Sequence, residues 1–247
     1  MSTAQQRSAT LTHVFAAWWR DQRSRHSLPA TFRALVQNLW EFARSSTPEQ
    51  RRRRFGDVDF DFDHHVNTTS ATVSWRDRLM GTFSSPYQPT DPGLFDEMLR
   101  AVPADFHSLT FLDLGSGKGR TLLLAANYPF RRIAGVELLP ALHRIAEENI
   151  RNYDSPTRRC SAIEAICSDA RAFDFPTEPL LVYLFNPFPE SILAEVIIRL
   201  EKSVAKHPRP VFIVYHNPLL LNVITRGRVF RTVAATHQYV VLANRTS

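Results

Sequence analysis

The sequence predicts an α/β fold: a mostly parallel sheet with helices on both faces, preceded by a helical N-terminal extension. From residue 91 onward, short apolar runs alternate with longer amphipathic segments, a pattern typical of βαβ units. The last two apolar runs are separated only by a turn, which predicts an antiparallel hairpin at the end of the sheet. We therefore expect an extension over residues 1–80 and a principal domain over residues 81–247.

The composition is that of a folded chain outside the membrane. The 247 residues are 44% hydrophobic and 22% charged, proportions that suit one α/β domain with an extension. With 17 Phe, 6 Tyr and 4 Trp, disorder throughout is excluded. No apolar run approaches the roughly 18 residues that cross a bilayer, and residues 1–10 lack the apolar centre of a secretory signal. Cys160 and Cys167 cannot build a disulfide framework or a four-ligand zinc site, so we expect a cytoplasmic protein.

The net charge of +6 is concentrated near the N terminus. Residues 1–56 hold ten Arg against Asp21, Glu41 and Glu49, and the rest of the chain is nearly neutral. A basic extension of this kind either attracts nucleic acid or forms a solvated helical face.

Two elements are predicted within the extension. After Ser27 and Pro29, apolar residues recur at helical spacing, which predicts a helix ending near residues 45–48. Residues 57–63 alternate acidic and apolar side chains, which predicts a half-exposed strand. The apolar residues of the helix are Phe32, Leu35, Val36, Leu39, Trp40 and Phe42.

The acidic segment does not match a calcium loop, because Phe62 and Thr68 stand where such a loop needs Gly and Glu. His64 and His65 follow it, but adjacent side chains point apart in extended backbone. We therefore predict no metal site.

The principal domain is predicted to begin with a helix that Asp91 caps and Pro92 opens. Apolar runs then predict strands over 109–114, 132–136, 162–167, 180–185 and 211–215, with the final hairpin over 229–235 and 238–243. Helices are predicted between them, over 119–128, 140–152, 189–203 and 218–225.

A glycine-rich loop follows the first predicted strand. The chain has only eight Gly, and Gly115, Gly117 and Gly119 lie within five residues. Concentrated glycine indicates backbone that approaches a ligand closely or adopts positive φ. The carboxyl end of a strand is also where open α/β sheets bind ligands.

Two common phosphate-binding motifs do not fit this loop. A P-loop needs Gly where Leu112 stands, and a dinucleotide fingerprint needs Gly where Arg120 stands. Asp113, just before the loop, would repel a pyrophosphate but suits a ligand that carries an ammonium and a sulfonium. S-adenosylmethionine is such a ligand.

Carboxylates follow the next two strands as well. Glu137 lies about 20 residues beyond the glycine loop, the spacing of an acceptor for ribose hydroxyls. Asp169 follows the third strand, where it can accept from an adenine amino group. Acids at three successive strand ends therefore predict one nucleoside site.

The sequence resembles the class I, seven-stranded S-adenosylmethionine-dependent methyltransferases from Tyr87 to the C terminus. Residues 111–119, Phe-Leu-Asp-Leu-Gly-Ser-Gly-Lys-Gly, are a specific form of that family's first motif. The resemblance implies a Rossmann-like sheet of order 3-2-1-4-5-7-6 and S-adenosyl-L-methionine as the cofactor. It also implies that the methionine part lies near Asp113 and over Gly115, Ser116, Gly117 and Gly119, with Glu137 on the ribose and Asp169 on the adenine.

Two further segments carry a narrower likeness. Tyr87, Pro89 and Thr90 resemble a Tyr-x-Pro-Ser/Thr segment that folds over the cofactor in seven-strand protein-lysine methyltransferases. Asn186, Pro187 and Phe188 stand where the family binds the methyl acceptor, similar to Asn-Asn-Phe and Asn-Pro-Pro-Tyr/Phe motifs. The aromatic residue comes one place earlier than in the amide-modifying enzymes, which disfavours a nucleic-acid adenine. The pattern is also similar to bacterial members of unassigned substrate.

The expected function is methyl transfer to a nucleophile, with nitrogen on a protein lysine or a small molecule favoured. Alternatives are O-methylation of a small molecule, or methylation of nucleic acid through the basic extension. A NAD-dependent dehydrogenase, disfavoured by Arg120, and a nucleic-acid-binding module without catalysis are the other classes.

The acceptor residues have alternatives too. The Asn186 side-chain oxygen and the Pro187 carbonyl could accept N–H bonds from an amine, or Asn186 could cap the next helix. His216 could act as a general base or serve as a structural histidine.

Overall fold

The structure is a computed structural model that describes residues 11–44, 58–69 and 89–244. Three helices come first: α1 (Leu11–Arg25), α2 (Leu28–Arg44) and α3 (Val58–Asp63). The remaining elements alternate as predicted. They are α4 (Pro92–Arg100), β1 (Thr110–Leu114), α5 (Arg120–Ala125), β2 (Arg132–Glu137), α6 (Pro140–Asn152), β3 (Ile163–Cys167), β4 (Leu180–Phe185), α7 (Glu190–Lys206), β5 (Val211–His216), α8 (Leu221–Thr225), β6 (Phe230–Ala235) and β7 (Tyr239–Asn244).

All seven strands form one sheet of order β3-β2-β1-β4-β5-β7-β6. Strands β1 to β5 pair in parallel, whereas β7 lies antiparallel between β5 and β6. This Rossmann-like α/β fold confirms the predicted fold class and strand order. It also brings the carboxyl ends of β1, β2, β4 and β5 to one edge.

Apolar side chains pack on both faces of the sheet. One face holds residues from alternate positions of β1, such as Leu112 and Leu114, against α7. The other holds Phe111 against Phe95 and Leu99 of α4 and the leucines of α5. Because both faces are covered, the central strands read as continuous apolar runs, which is why they could be located from the sequence.

The prediction of a strand over 57–63 is wrong, because Val58–Asp63 is helix α3. The Asp61 carboxylate accepts hydrogen bonds from the backbone N–H groups of Thr68 and Thr69, at 2.8 and 2.9 Å. The two apolar residues of the alternation also differ, since Phe60 packs against the core while Phe62 is 80% exposed. The Asp61 side chain therefore bonds to the chain that follows the helix, and the segment does not form the backbone pairing of a strand.

Helix α2 forms where it was predicted, but part of its apolar stripe faces outward. Phe32 and Val36 are exposed. Within the described ranges, no helix is long and apolar enough to cross a membrane.

Candidate active site

The glycine loop adopts backbone that only glycine takes readily. Gly115, Gly117 and Gly119 have φ of 88°, 54° and 82°, in the left-handed region. A Cβ on Gly115 would also lie 2.5 Å from Cβ of Pro187. Two of the predicted segments, the loop after β1 and the one after β4, are therefore in contact.

Strand β2 holds this loop in place. The N–H groups of Gly115 and Ser116 donate to the Val136 carbonyl at 2.8 and 3.1 Å. The Gly117 N–H donates to Glu137 Oε2 at 2.8 Å, and Glu137 Oε1 accepts from Leu139 N–H at 2.8 Å. The predicted ribose acceptor is thus a buried carboxylate at the loop's edge.

Asp113 is the second buried carboxylate of the site. Only 4% of the residue is exposed, and Thr121 Oγ1 donates a hydrogen bond to Oδ2. Burial raises the pKa of Asp113 to about 7; the Thr121 bond lowers it and the charge of Glu137 raises it further. Within the part of the chain that the structure describes, no positive charge compensates this carboxylate, and a cationic ligand would supply one.

Asp169 lies beyond β3 at the same edge, but its carboxylate is already engaged. Arg171 donates to it through Nε at 3.1 Å, through Nη2 at 2.6 Å and through its backbone N–H at 2.9 Å. Burial raises the pKa of Asp169, and the Arg171 bonds outweigh this and hold it below its ordinary value. A ligand at this position would meet the Asp169–Arg171 pair rather than an isolated acid.

Lys118 of the glycine loop and Arg120, the first residue of α5, bind residues 60–69, which we call the clasp. Lys118 Nζ donates to Asn67 Oδ1 at 2.9 Å and to the Thr69 carbonyl. Lys118 is fully buried, and burial lowers its pKa to about 8, against a smaller opposite effect of the Asp61 charge.

Arg120 makes the second attachment. Its Nη1 donates to Thr68 Oγ1 and its Nε to the Thr90 carbonyl, each at 2.8 Å, while the guanidinium lies 4.2 Å from the centre of the Phe60 ring. Sequence reasoning missed the clasp, because its partners are some 50 residues apart along the chain and no local pattern joins them.

Thr90 of the predicted cofactor-covering segment is buried beside these groups. Its Oγ1 lies 2.9 Å from Tyr183 Oη on β4. Tyr87, from the same predicted segment, lies outside the described residues.

The acceptor candidates lie where β4 ends. Asn186 has φ of 43°, and its Oδ1 accepts a 2.8 Å hydrogen bond from Tyr215 Oη on β5. It is not the cap of α7, because that position is Pro189, which makes no side-chain capping bond. Pro187 faces Gly115, and Phe188 packs against the core. Pro187 thus brings this segment next to the glycine loop.

His216 ends β5 beside this segment. Its Nδ1 lies 2.9 Å from Tyr183 Oη, and its ring stacks on Phe185 with centroids 3.8 Å apart. Burial lowers the pKa of His216 to about 4, so the ring is neutral at physiological pH.

Among the described residues, no group of three or more His, Cys, Asp or Glu is arranged to hold a metal ion. His64 instead bonds through Nδ1 to the Asp154 carbonyl at 2.8 Å.

Solved structures of similar fold include an RNA methyltransferase from Salinibacter ruber in complex with S-adenosyl-L-homocysteine, 21% identical, covering 64% of this chain and 93% of that one at a TM-score of 0.44. Another is a ribosomal protein L11 methylase from Lactobacillus delbrueckii subsp. bulgaricus, 15% identical, covering 63% and 76% at 0.43. A third is a protein of the NADB-Rossmann superfamily from Streptococcus agalactiae, 13% identical, covering 65% and 69% at 0.44. Neither a protein-family model nor a curated protein sequence matches the chain. These likenesses concern the fold alone.

We expect the substitution Asp61→Asn to destabilise the clasp. The backbone N–H groups of Thr68 and Thr69 donate to Oδ2 and the Thr68 hydroxyl donates to Oδ1, so the amide loses one of these acceptors in either orientation, together with the negative charge 3.9 Å from Arg120 Nη1. We expect a loss of about 1–3 kcal/mol in the free energy of opening this segment, measured by hydrogen exchange at those two amides. Asp63→Asn, an exposed position of the same helix, is the matched control. Equal exchange rates of the Thr68 and Thr69 amides in both variants would contradict the role of Asp61 in holding the clasp.

Asp113 predicts a pH dependence of stability. Its pKa is about 7 in the folded state and 3.8 in the unfolded state. The contribution of Asp113 to the free energy of unfolding is therefore full below pH 4 and is lost as pH rises through 7. Wild type should therefore lose unfolding free energy relative to Asp113→Asn between pH 4 and 8, as measured by urea denaturation. A constant difference across that range would show that Asp113 is ionised without cost.

Proposed function

We propose that the chain is a methyltransferase that uses S-adenosyl-L-methionine. The observation that carries the proposal is Asp113, a buried carboxylate with a pKa of about 7, set directly against a bare glycine loop. When bound, the cofactor supplies a methyl group already activated by the positive charge of its sulfonium. Its ammonium and sulfonium are the compensating charges that the site lacks.

The residues present fit this group. Gly115 is exposed, so its backbone is open to close approach by the methionine part, and the proposal includes its buried loop neighbours Ser116, Gly117 and Gly119. Glu137 would hold the ribose hydroxyls: both oxygens are engaged with backbone N–H groups, yet a carboxylate has lone pairs for further bonds.

Two other parts of the chain would complete the cofactor site. Asp169, held by Arg171, would accept from the adenine amino group. Thr90, and Tyr87 before it, would come from the segment that covers the cofactor. We extend the proposal to the domain boundaries: residues 81–247 form the catalytic domain and 1–80 a lid or extension.

On the acceptor side, the chain's task is to exclude water and hold the acceptor in line with the methyl group, and positioning of this kind contributes up to about 7–11 kcal/mol. Asn186, Pro187 and Phe188 would do this, because Pro187 contacts Gly115 and the other two are its neighbours in the chain. The sequence leaves three acceptor classes. They are nitrogen on a protein lysine or small molecule, oxygen on a small molecule, and nucleic acid held by the basic extension.

Cofactor binding is the first test. Calorimetric titration should give micromolar affinity for S-adenosylmethionine and its demethylated product, since charge and backbone both complement them. Asp113→Asn should weaken binding of both, because each carries the ammonium, whereas Asp174→Asn, at an exposed carboxylate, should not. Binding of NADH instead, or no heat with either nucleoside, would overturn the proposal.

Asn186→Ala is expected to retain cofactor affinity and lose methyl transfer, because the proposal assigns this side chain to the acceptor and not to the cofactor. The assay uses labelled cofactor and cell lysate and follows label into protein, nucleic acid or metabolites. Transfer at the wild-type rate would remove Asn186 from the site.

A further inference from the structure

We propose that Tyr183 and Tyr215 are positioning residues that make His216 and Asn186 hydrogen-bond donors to the methyl acceptor, and that the acceptor is therefore a carboxylate. This rests on the proposed function and names the acceptor class for the same site. The two tyrosines lie on neighbouring strands, and each orients the residue that ends or follows the other's strand.

The orientation of Asn186 follows from the proton of Tyr215. The Leu220 N–H donates to Tyr215 Oη at 3.3 Å. A phenolic hydroxyl has one proton to donate, and that proton is directed to Asn186, 2.8 Å away. The atom that receives it must be the amide oxygen, so the Asn186 NH2 group is left for the other side of the amide.

The tautomer of His216 follows from a chain of three groups. Among the described residues, Thr90 Oγ1 bonds only to Tyr183, which bonds in turn to His216 Nδ1. If the chain ran from His216 to Thr90, the buried Thr90 proton would have no partner, and that arrangement is disfavoured. The chain therefore runs from Thr90 through Tyr183 to Nδ1, and the ring carries its proton on Nε2.

The two donors, Asn186 Nδ2 and His216 Nε2, belong to residues at the adjacent ends of β4 and β5. Phe185 is the register partner of His216, its ring stacks on the imidazole, and Asn186 is the next residue. Pro187 then contacts the loop at Gly115. An amine would bring N–H groups to these two donors, whereas a carboxylate accepts from both.

Methylation of a carboxylate also needs no general base at the site. A carboxylate oxygen forms the new bond to the methyl carbon while the carbon–sulfur bond breaks and its electron pair stays on sulfur. No proton has to be removed, so no base is needed. This agrees with a neutral His216 whose Nε2 is a donor.

The tautomer is tested by NMR of protein labelled with ¹⁵N-histidine and saturated with S-adenosylhomocysteine. We expect the His216 proton on Nε2, with the signal assigned through its absence in His216→Gln. Tyr183→Phe should release the ring to a mixture of tautomers. A proton on Nδ1 in the wild type would overturn the donor assignment of His216.

The acceptor class is tested with two probes, phenylacetate and phenethylamine, titrated into the same saturated protein. Phenylacetate should bind about tenfold more tightly or better. Asn186→Asp keeps an oxygen for Tyr215 but replaces the donor with a carboxylate oxygen, so it should remove this preference without changing affinity for S-adenosylhomocysteine. Asn152→Asp, an exposed position with the same charge change, is the control.

Tyr215→Phe tests positioning separately from folding. The amide should then turn freely, and the preference for phenylacetate should shrink while affinity for S-adenosylhomocysteine stays the same. Preference for phenethylamine in the wild type, or an unchanged preference in Asn186→Asp, would overturn the acceptor class. Failure of the wild type to bind S-adenosylhomocysteine would instead defeat the proposed function.

Discussion

Two carboxylates buried at the ends of adjacent strands constrain the rest of the site. Glu137 is compensated by backbone N–H groups of Gly117 and Leu139. Among the described residues, Asp113 accepts a bond from the Thr121 hydroxyl alone, and burial raises its pKa to about 7. Burying a carboxylate without a compensating charge is unfavourable. The register sets Asp113 opposite Gly135, two residues before Glu137, so the charge of Glu137 raises the pKa of Asp113 further. The fold thus maintains a local deficit of positive charge that a ligand can fill.

The loop's own cations do not fill this deficit. Lys118 and Arg120 bond instead to the clasp and to Thr90. Had either side chain turned toward Asp113, an internal ion pair would have lowered the pKa of the acid and removed the reason to bind a cation. The clasp therefore has two effects: it attaches residues 60–69 to Lys118 and Arg120, and it keeps these cations away from Asp113.

The sequence predicted the features that depend on local residue patterns. It did not predict the features that depend on contacts between side chains far apart in the chain. Strands β1 to β5 were located because buried parallel strands read as apolar runs, and the glycine loop because glycine is scarce elsewhere. The 57–63 segment was misassigned because Asp61 bonds to Thr68 and Thr69. The acids were placed at the correct strand ends, and the Arg171 partner of Asp169 was overlooked although it lies only two residues along the chain. The tyrosine partners of Asn186 and His216 depend on packing that no single stretch encodes.

The site is polarised from one end to the other. Carboxylates stand at the ends of β1 and β2, and N–H groups stand at the ends of β4 and β5, so a cation fits one side and an anion the other. A reaction between a sulfonium and a carboxylate turns two charged groups into two neutral ones. Since charges are costly to keep in a buried site, such a site favours neutralisation on transfer, whereas transfer to a neutral amine only moves the positive charge. The same burial that raises the pKa of Asp113 thus favours an anionic acceptor.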